Sequence, residues 1–253
     1  MKTPRILALH VLREHLRSQG FLTALGFAGV LIYVSVLLGA LAVDQEVRVL
    51  EDFGLSFIEL MGLALVVFGA ANGIVKELET KTIYLILSRP VSRGGFLLGR
   101  YLGLLLSAAL AVGAMSLVHL SLLFLKGWSW QPAYALAILG ILLKLTLSTA
   151  LALFLALLST SVLSAVVMTG IAWILGHFIP EMRFMIEKAP NVWSRLALSG
   201  ISRVIPDLQL LNFRDRLEAA GQGHWLALGA GYALLYSSAC LVLAYGLFRK
   251  REF

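Results

Sequence analysis

The sequence predicts an all-α, polytopic membrane protein with six transmembrane helices. Three observations carry that reading. Of 253 residues, 59% are hydrophobic and 14% charged, and the mean hydropathy is +0.88; a soluble domain of this length exposes too much surface to hide that apolar share. The apolar runs are too long for core strands and suit helices that cross a hydrocarbon layer about 30 Å thick. The basic residues behind the formal charge of +7 gather at the ends of those runs, which fits a membrane surface and speaks against nucleic acid.

Residues 1–20 open with Thr3 and Pro4, a helix cap followed by a first-turn proline. Ile6, Leu9, Leu12 and Leu16 then recur at helical spacing beside Arg5, Arg13 and Arg17. This reads as an N-terminal amphipathic interfacial helix or, more blandly, as a solvated basic flank. The first span, 21–43, carries no charge. It exceeds the ~7–15 apolar residues of a signal core, so it reads as an anchor rather than a cleaved leader.

The remaining spans are expected at about 57–75, 96–125, 133–158, 162–179 and 225–248. Glu59 falls near the outer end of the second, and Lys144 interrupts the fourth. Residues 159–161 make a tight turn, and 180–224 mix apolar and charged residues in a way that suits short extracytoplasmic helices. Lys76, Lys81, Arg89, Arg93, Arg100, Arg249, Lys250 and Arg251 join the basic N-terminus on one side, whereas the short opposite flanks hold Arg48 and Lys126. The lysine and arginine bias places both termini in the cytoplasm. The whole chain, 1–253, reads as a single membrane domain.

The stretch 76–103, KELETKTIYLILSRPVSRGGFLLGRYLG, is the most specific part of the chain. Its polar and apolar residues alternate as in a short helix, Pro90 forces a turn at Arg89, and Ser92 is placed to cap the next helix. By periodicity alone it could be no more than a well-capped loop. It resembles, however, the cytoplasmic connection after the second span of type-2 ATP-binding-cassette (ABC) permeases. The matching residues are Glu77, Glu79, Thr82, Leu85, Leu87, Pro90, Val91, Ser92, Arg93, Phe96, Leu98, Gly99 and Arg100; Lys81 stands where glycine is frequent. The run VIPDLQLLNFRD, 204–215, is similar to an outer segment of the copper-enzyme maturation permease subgroup.

The resemblance implies a permease subunit that exports a substrate across a bacterial-type cytoplasmic (inner) membrane. A cytoplasmic coupling helix between spans 2 and 3 would receive the motion of a separate ABC ATPase, in two copies, which holds the ATP and Mg. Glu77, Glu79, Thr82, Pro90 and Arg93 are the expected coupling residues. A second permease chain, identical or different, would complete the assembly. The chain itself would be no enzyme and bind no cofactor, in keeping with its lack of a G-x-x-x-x-G-K-[ST] phosphate loop. Trp193 and Pro206 are the candidates for an extracytoplasmic gate or a face for an outer protein. The alternative is an ATP-driven mechanical or signalling module acting on such a protein without transport.

Three single residues stand out in the spans. Lys144 lies about eleven residues into its span, near mid-membrane at ~1.5 Å per residue. Such a lysine costs about 2.5–3.5 kcal/mol to insert, so it faces a carboxylate, carbonyls, a wet cavity or a second subunit, or else snorkels from a misjudged span. It is therefore a candidate for the pathway or the subunit interface. His119 and His177 also lie in spans, but no carboxylate cluster at ligand spacing accompanies them, so no metal site is expected. A proton-driven transporter ranks last, because acidic residues are scarce in the expected spans.

Overall fold

A computed structural model describes residues 3–41, 45–80, 92–189, 191–213 and 222–250. Among them there are nine α-helices and no strand. In chain order these are α1 (Thr3–Leu16), α2 (Gln19–Leu41), α3 (Glu46–Ala71), α4 (Arg93–Leu125), α5 (Pro132–Leu158), α6 (Val162–His177), α7 (Ile179–Lys188), α8 (Val192–Val204) and α9 (Gln222–Lys250), with a short Glu77–Glu79 turn continuing α3. Five helical stretches are long and apolar enough to cross a membrane, or six if the bent pair α6–α7 counts as one span.

Two helices differ in extent from the expected spans. The second helical stretch runs from Glu46 to Glu79, 34 residues, and so starts eleven positions before the expected 57. The charges at its start had masked it, and they are held from neighbouring elements. Lys126 Nζ meets Glu46 at 2.5 Å, and the Trp128 indole N–H donates to Glu51 at 3.3 Å. Glu59 consequently lies well inside the helix, not near its end. The fifth span, expected at 162–179, closes at His177 after only 16 residues, about 24 Å of helix. Pro180 cannot donate to the carbonyl one turn back, and the chain bends by 67° into α7.

Helix starts follow their sequence signals. Ser92 is extended (φ −67°, ψ 143°) and its hydroxyl accepts the Gly95 N–H at 3.1 Å, capping α4. Ser161 and Ser164 exchange side-chain and backbone bonds in a capping box that opens α6. Pro132 begins α5.

The helices alternate, so residues 76–80 and 92–93, the 159–161 turn, α1 and the end of α9 share one face of the bundle, here called the terminal face. The 126–131 loop and residues 191–213 share the other, the distal face. One core cluster fills the terminal half, from Val11 and Ile74 through Phe96 and Leu153 to Phe248. A second fills the distal half, from Ile32 and Ile58 to Val112, Tyr134 and Leu145.

α1 lies along α4. It buries Ala8 and Val11, while Ile6 (66%) and Leu9 (51%) of the expected apolar stripe stay exposed. Contact with α4 is close: a Cβ at Gly103 would stand 2.6 Å from Val11. Gly103→Leu is expected to cost about 1–3 kcal/mol by overpacking and to lift α1 off. Faster maleimide labelling of an introduced Ala8→Cys, in a chain whose own Cys240 is buried, reads that directly.

Candidate functional site

Two polar clusters interrupt the apolar bundle. The first is on the terminal face. After Ala71 the α3 ladder widens into a π turn, Asn72–Lys76, before the last turn, Glu77–Glu79. Such turns re-aim the residues that follow and concentrate at functional positions. Glu77 pairs with Arg100 of α4, and the two side chains are only 19% and 7% exposed. The Arg100 guanidinium also lies 5.7 Å from the centre of the Phe96 ring and presses on the π turn, where a Cβ at Gly73 would stand 2.7 Å from its Nη1. Glycine there lets the arginine reach its partner.

Arg93, the first residue of α4, donates through Nη1 to the carbonyls of Phe248 (3.1 Å) and Arg249 (2.8 Å). These belong to the last turn of α9, whose carbonyls lack helical partners and carry the negative end of the helix dipole. These contacts tie α3, α4 and α9 together on the terminal face, between the described residues Thr80 and Ser92 that flank the connection in sequence. Thr82 and Pro90, two of the expected coupling residues, lie outside the described residues. Glu79 is exposed at the end of its turn.

The second cluster is buried toward the distal side. Lys144 of α5 is 3% exposed, and its Nζ donates to both oxygens of Glu59 on α3, at 2.9 and 2.8 Å. His177, the last residue of α6, places Nε2 at 3.2 Å from Glu59 Oε1 and Nδ1 at 3.0 Å from the Trp173 carbonyl. The three side chains line a cavity of about 480 Å³ together with Asp52, Ser56 and Asn212, against apolar walls that include Ile141, Trp173 and Phe213. Lys144 thus finds its carboxylate within its own chain.

Sequence reasoning missed Glu59 and His177 as its partners. One signal was present: Asp52, Ser56 and Glu59 fall at i, i+4 and i+7, a polar stripe along one face of an otherwise apolar helix. His119 is a core histidine, 0% exposed, with Nε2 at 3.2 Å from the Leu50 carbonyl and Nδ1 at 3.1 Å from the Tyr134 hydroxyl.

Residues 191–213 strap over the distal side. Arg183 donates to Asp207 at 2.9 Å, the Asp207 N–H donates to the Tyr232 hydroxyl at 2.8 Å, and Tyr236 donates to the Val204 carbonyl at 2.7 Å. Pro206 is buried in this strap. Trp193, on α8, is 83% exposed beside Val192 (79%) and Leu196 (64%). The two residues expected together as an outer face therefore stand in opposite surroundings.

Against proteins of curated function, the chain is 26% identical to a "Probable ABC transporter permease protein NosY" of Stutzerimonas stutzeri, over 90% of this chain and 88% of that protein. It is 28% identical to the protein of the same name in Pseudomonas aeruginosa, over 84% of this chain and 82% of that one. No family model matches the chain. The two likenesses extend over most of the sequence and bear out the resemblance to type-2 ABC permeases first read from residues 77–100.

Proposed function

We propose that the chain is the membrane-spanning permease subunit of an ABC transporter in a bacterial-type inner membrane, with the terminal face in the cytoplasm and the bent α6–α7 pair as one of six spans. A separate ATPase hydrolyses ATP, and its closure is transmitted through residues 76–93 to drive export. The observation that carries this reading is the tie among α3, α4 and α9 beside that connection: Glu77 on Arg100, and Arg93 on the last carbonyls of α9. A force applied to 81–91 reaches three long helices at once through these bonds. The likeness to two permease-named proteins supports the same reading.

Two such chains with two ATPases make the expected assembly, identical or mixed. Bond chemistry stays with the ATPase, where ATP and Mg bind. Within the permease, the Lys144–Glu59–His177 cavity is the proposed part of the pathway; with Lys144 buried inside its own chain, it suits that role better than a subunit interface.

Purifying the tagged chain from its host in mild detergent tests the reading. A stoichiometric ABC-type ATPase is expected by mass spectrometry, and its recovery should fall with substitutions between 77 and 93. A chain that comes out alone after cross-linking would overturn the proposal.

A further inference from the structure

α6 is short, and the contacts at its end fix its depth in the bundle. The 159–161 turn joins it to α5 at the terminal face, and its last residue, His177, brings Nε2 to 3.4 Å from Lys144 Nζ. From Lys144, α5 continues to Pro132, about 18 Å of helix toward the distal face. α6 therefore stops well short of its neighbour's distal end. The 67° bend turns α7 sideways, so its 10 residues rise by only about 6 Å. After α8 the chain comes back to the level it left: a Cβ at Gly176 would stand 2.7 Å from the Pro206 carbonyl. α7 and α8 thus make a hairpin that leaves and rejoins the bundle beside its distal half, not beyond it.

At that level the surface of α8 is the reverse of a helix packed on a protein and facing water. Val192, Trp193, Leu196, Ile201 and Val204 are all exposed, Trp193 by 83% and Val204 by 73%. The half-buried residues are Ser194, Leu198, Ser199 and Ser202, so three hydroxyls lie on the side nearer the protein. Arg195 and Arg203 are the only charges on α8, and both are exposed. At about 3.6 residues per turn, Arg203 falls between Val192 and Leu196, and Arg195 falls just beyond Val192. Both cations therefore border the same edge of the apolar face.

We infer that α8 is a lipid-binding helix of the distal leaflet, with Trp193, Leu196, Ile201 and Val204 among acyl chains and Arg195 and Arg203 on phosphate groups. A guanidinium fork matches phosphate oxygens, and its apolar stem can run along the exposed face while the charge reaches the headgroups. An indole suits the same boundary, where one end of the ring is apolar and the other wet. Trp193, expected from the sequence as a face for an outer protein, instead holds the hairpin in the membrane. The inference rests on the bundle crossing a membrane and not on the permease assignment.

Spin labels on the intact chain in phospholipid nanodiscs test it. Trp193→Cys, Ala197→Cys and Val204→Cys place labels on the apolar face, and Ser194→Cys and Ser202→Cys place them on its back; the native Cys240 is buried. Oxygen concentrates among acyl chains, so it should relax labels at 193, 197 and 204 more strongly than a water-soluble nickel chelate does. At 194 and 202 both should collide rarely. Preference for the nickel chelate at the first three positions would mean a water-facing surface open to an outer protein. Low collision with both reagents there would mean cover by a second copy of the chain. Either result overturns the inference. Leu235→Cys, exposed on α9, reports separately whether the bundle itself sits in lipid, so a failure of α8 alone is told apart from a bundle outside the bilayer. In the chain without added cysteines, brominated acyl chains should quench tryptophan fluorescence, and Trp193→Phe should lose part of the quenched signal. An unchanged quenched signal in Trp193→Phe would also overturn the inference.

Discussion

Glu59→Leu is expected to destabilise the chain by about 3–5 kcal/mol, because it strands a buried ammonium. Lys144 is 3% exposed and spends two of its three hydrogens on Glu59, so the variant takes away both of those acceptors at once. Lys144→Leu should cost less, since the remaining carboxylate is 14% exposed and opens on the cavity. The double variant Glu59→Leu/Lys144→Leu removes both charges and places apolar side chains in an apolar bundle. Replacing a buried ion pair in this way is commonly neutral or stabilising by about 1–4 kcal/mol.

Thermal unfolding of the four proteins in nanodiscs closes the cycle. Recovery of stability in the double variant, measured against the loss in Glu59→Leu, is the expected result. If the double variant were as unstable as Glu59→Leu, the cavity would need its polar lining for folding itself. If all three variants matched the parent, the ion pair would carry no weight. Transport by the double variant then separates the two roles: a folded but inactive protein places the pair in the pathway, and a folded, active one removes it.

The long apolar helices, five of them or six with the bent α6–α7 pair, were legible because each core-facing or lipid-facing residue contributes locally. The Ser92 cap was legible for the same reason: its hydroxyl acts on a backbone group three residues away. What escaped was set by contacts between distant segments. Glu46 and Glu51 disguised the start of α3, since their partners Lys126 and Trp128 stand near 80 residues on. Lys144 was visible as an anomaly, but its partners lie 85 and 33 positions away. Glu77 and Arg100 were both visible in the connection as separate matches, not as a pair. That pairing depends on a π turn with no hydropathic signature and on a glycine that leaves room for a guanidinium. The bend at Phe178 had a readable cause in Pro180; the run 162–179 was taken through it because both sides are apolar.

Glu79→Lys is expected to leave stability unchanged or slightly raised, and to cut ATPase recovery and stimulated ATP turnover by about tenfold or more. The argument starts from where the carboxylate sits. Glu79 is exposed in the final turn of the α3 stretch, the end at which a helix dipole disfavours negative charge and favours a cation, by about 0.3–1 kcal/mol in each case. A glutamate in that position is not there for the helix. Residues immediately after it lead into the connection proposed to meet the ATPase, where a reversed charge opposes a complementary partner, and like-charge juxtaposition costs several kcal/mol. A loss of only 1.4 kcal/mol already lowers association tenfold. Parallel measurement of the unfolding midpoint and of co-purified ATPase distinguishes the outcomes. A stable variant that has lost its ATPase supports coupling through this face. A stable variant with full ATPase recovery and turnover would remove Glu79 from the contact, and the same result at Arg93 would remove the terminal face from the coupling role altogether.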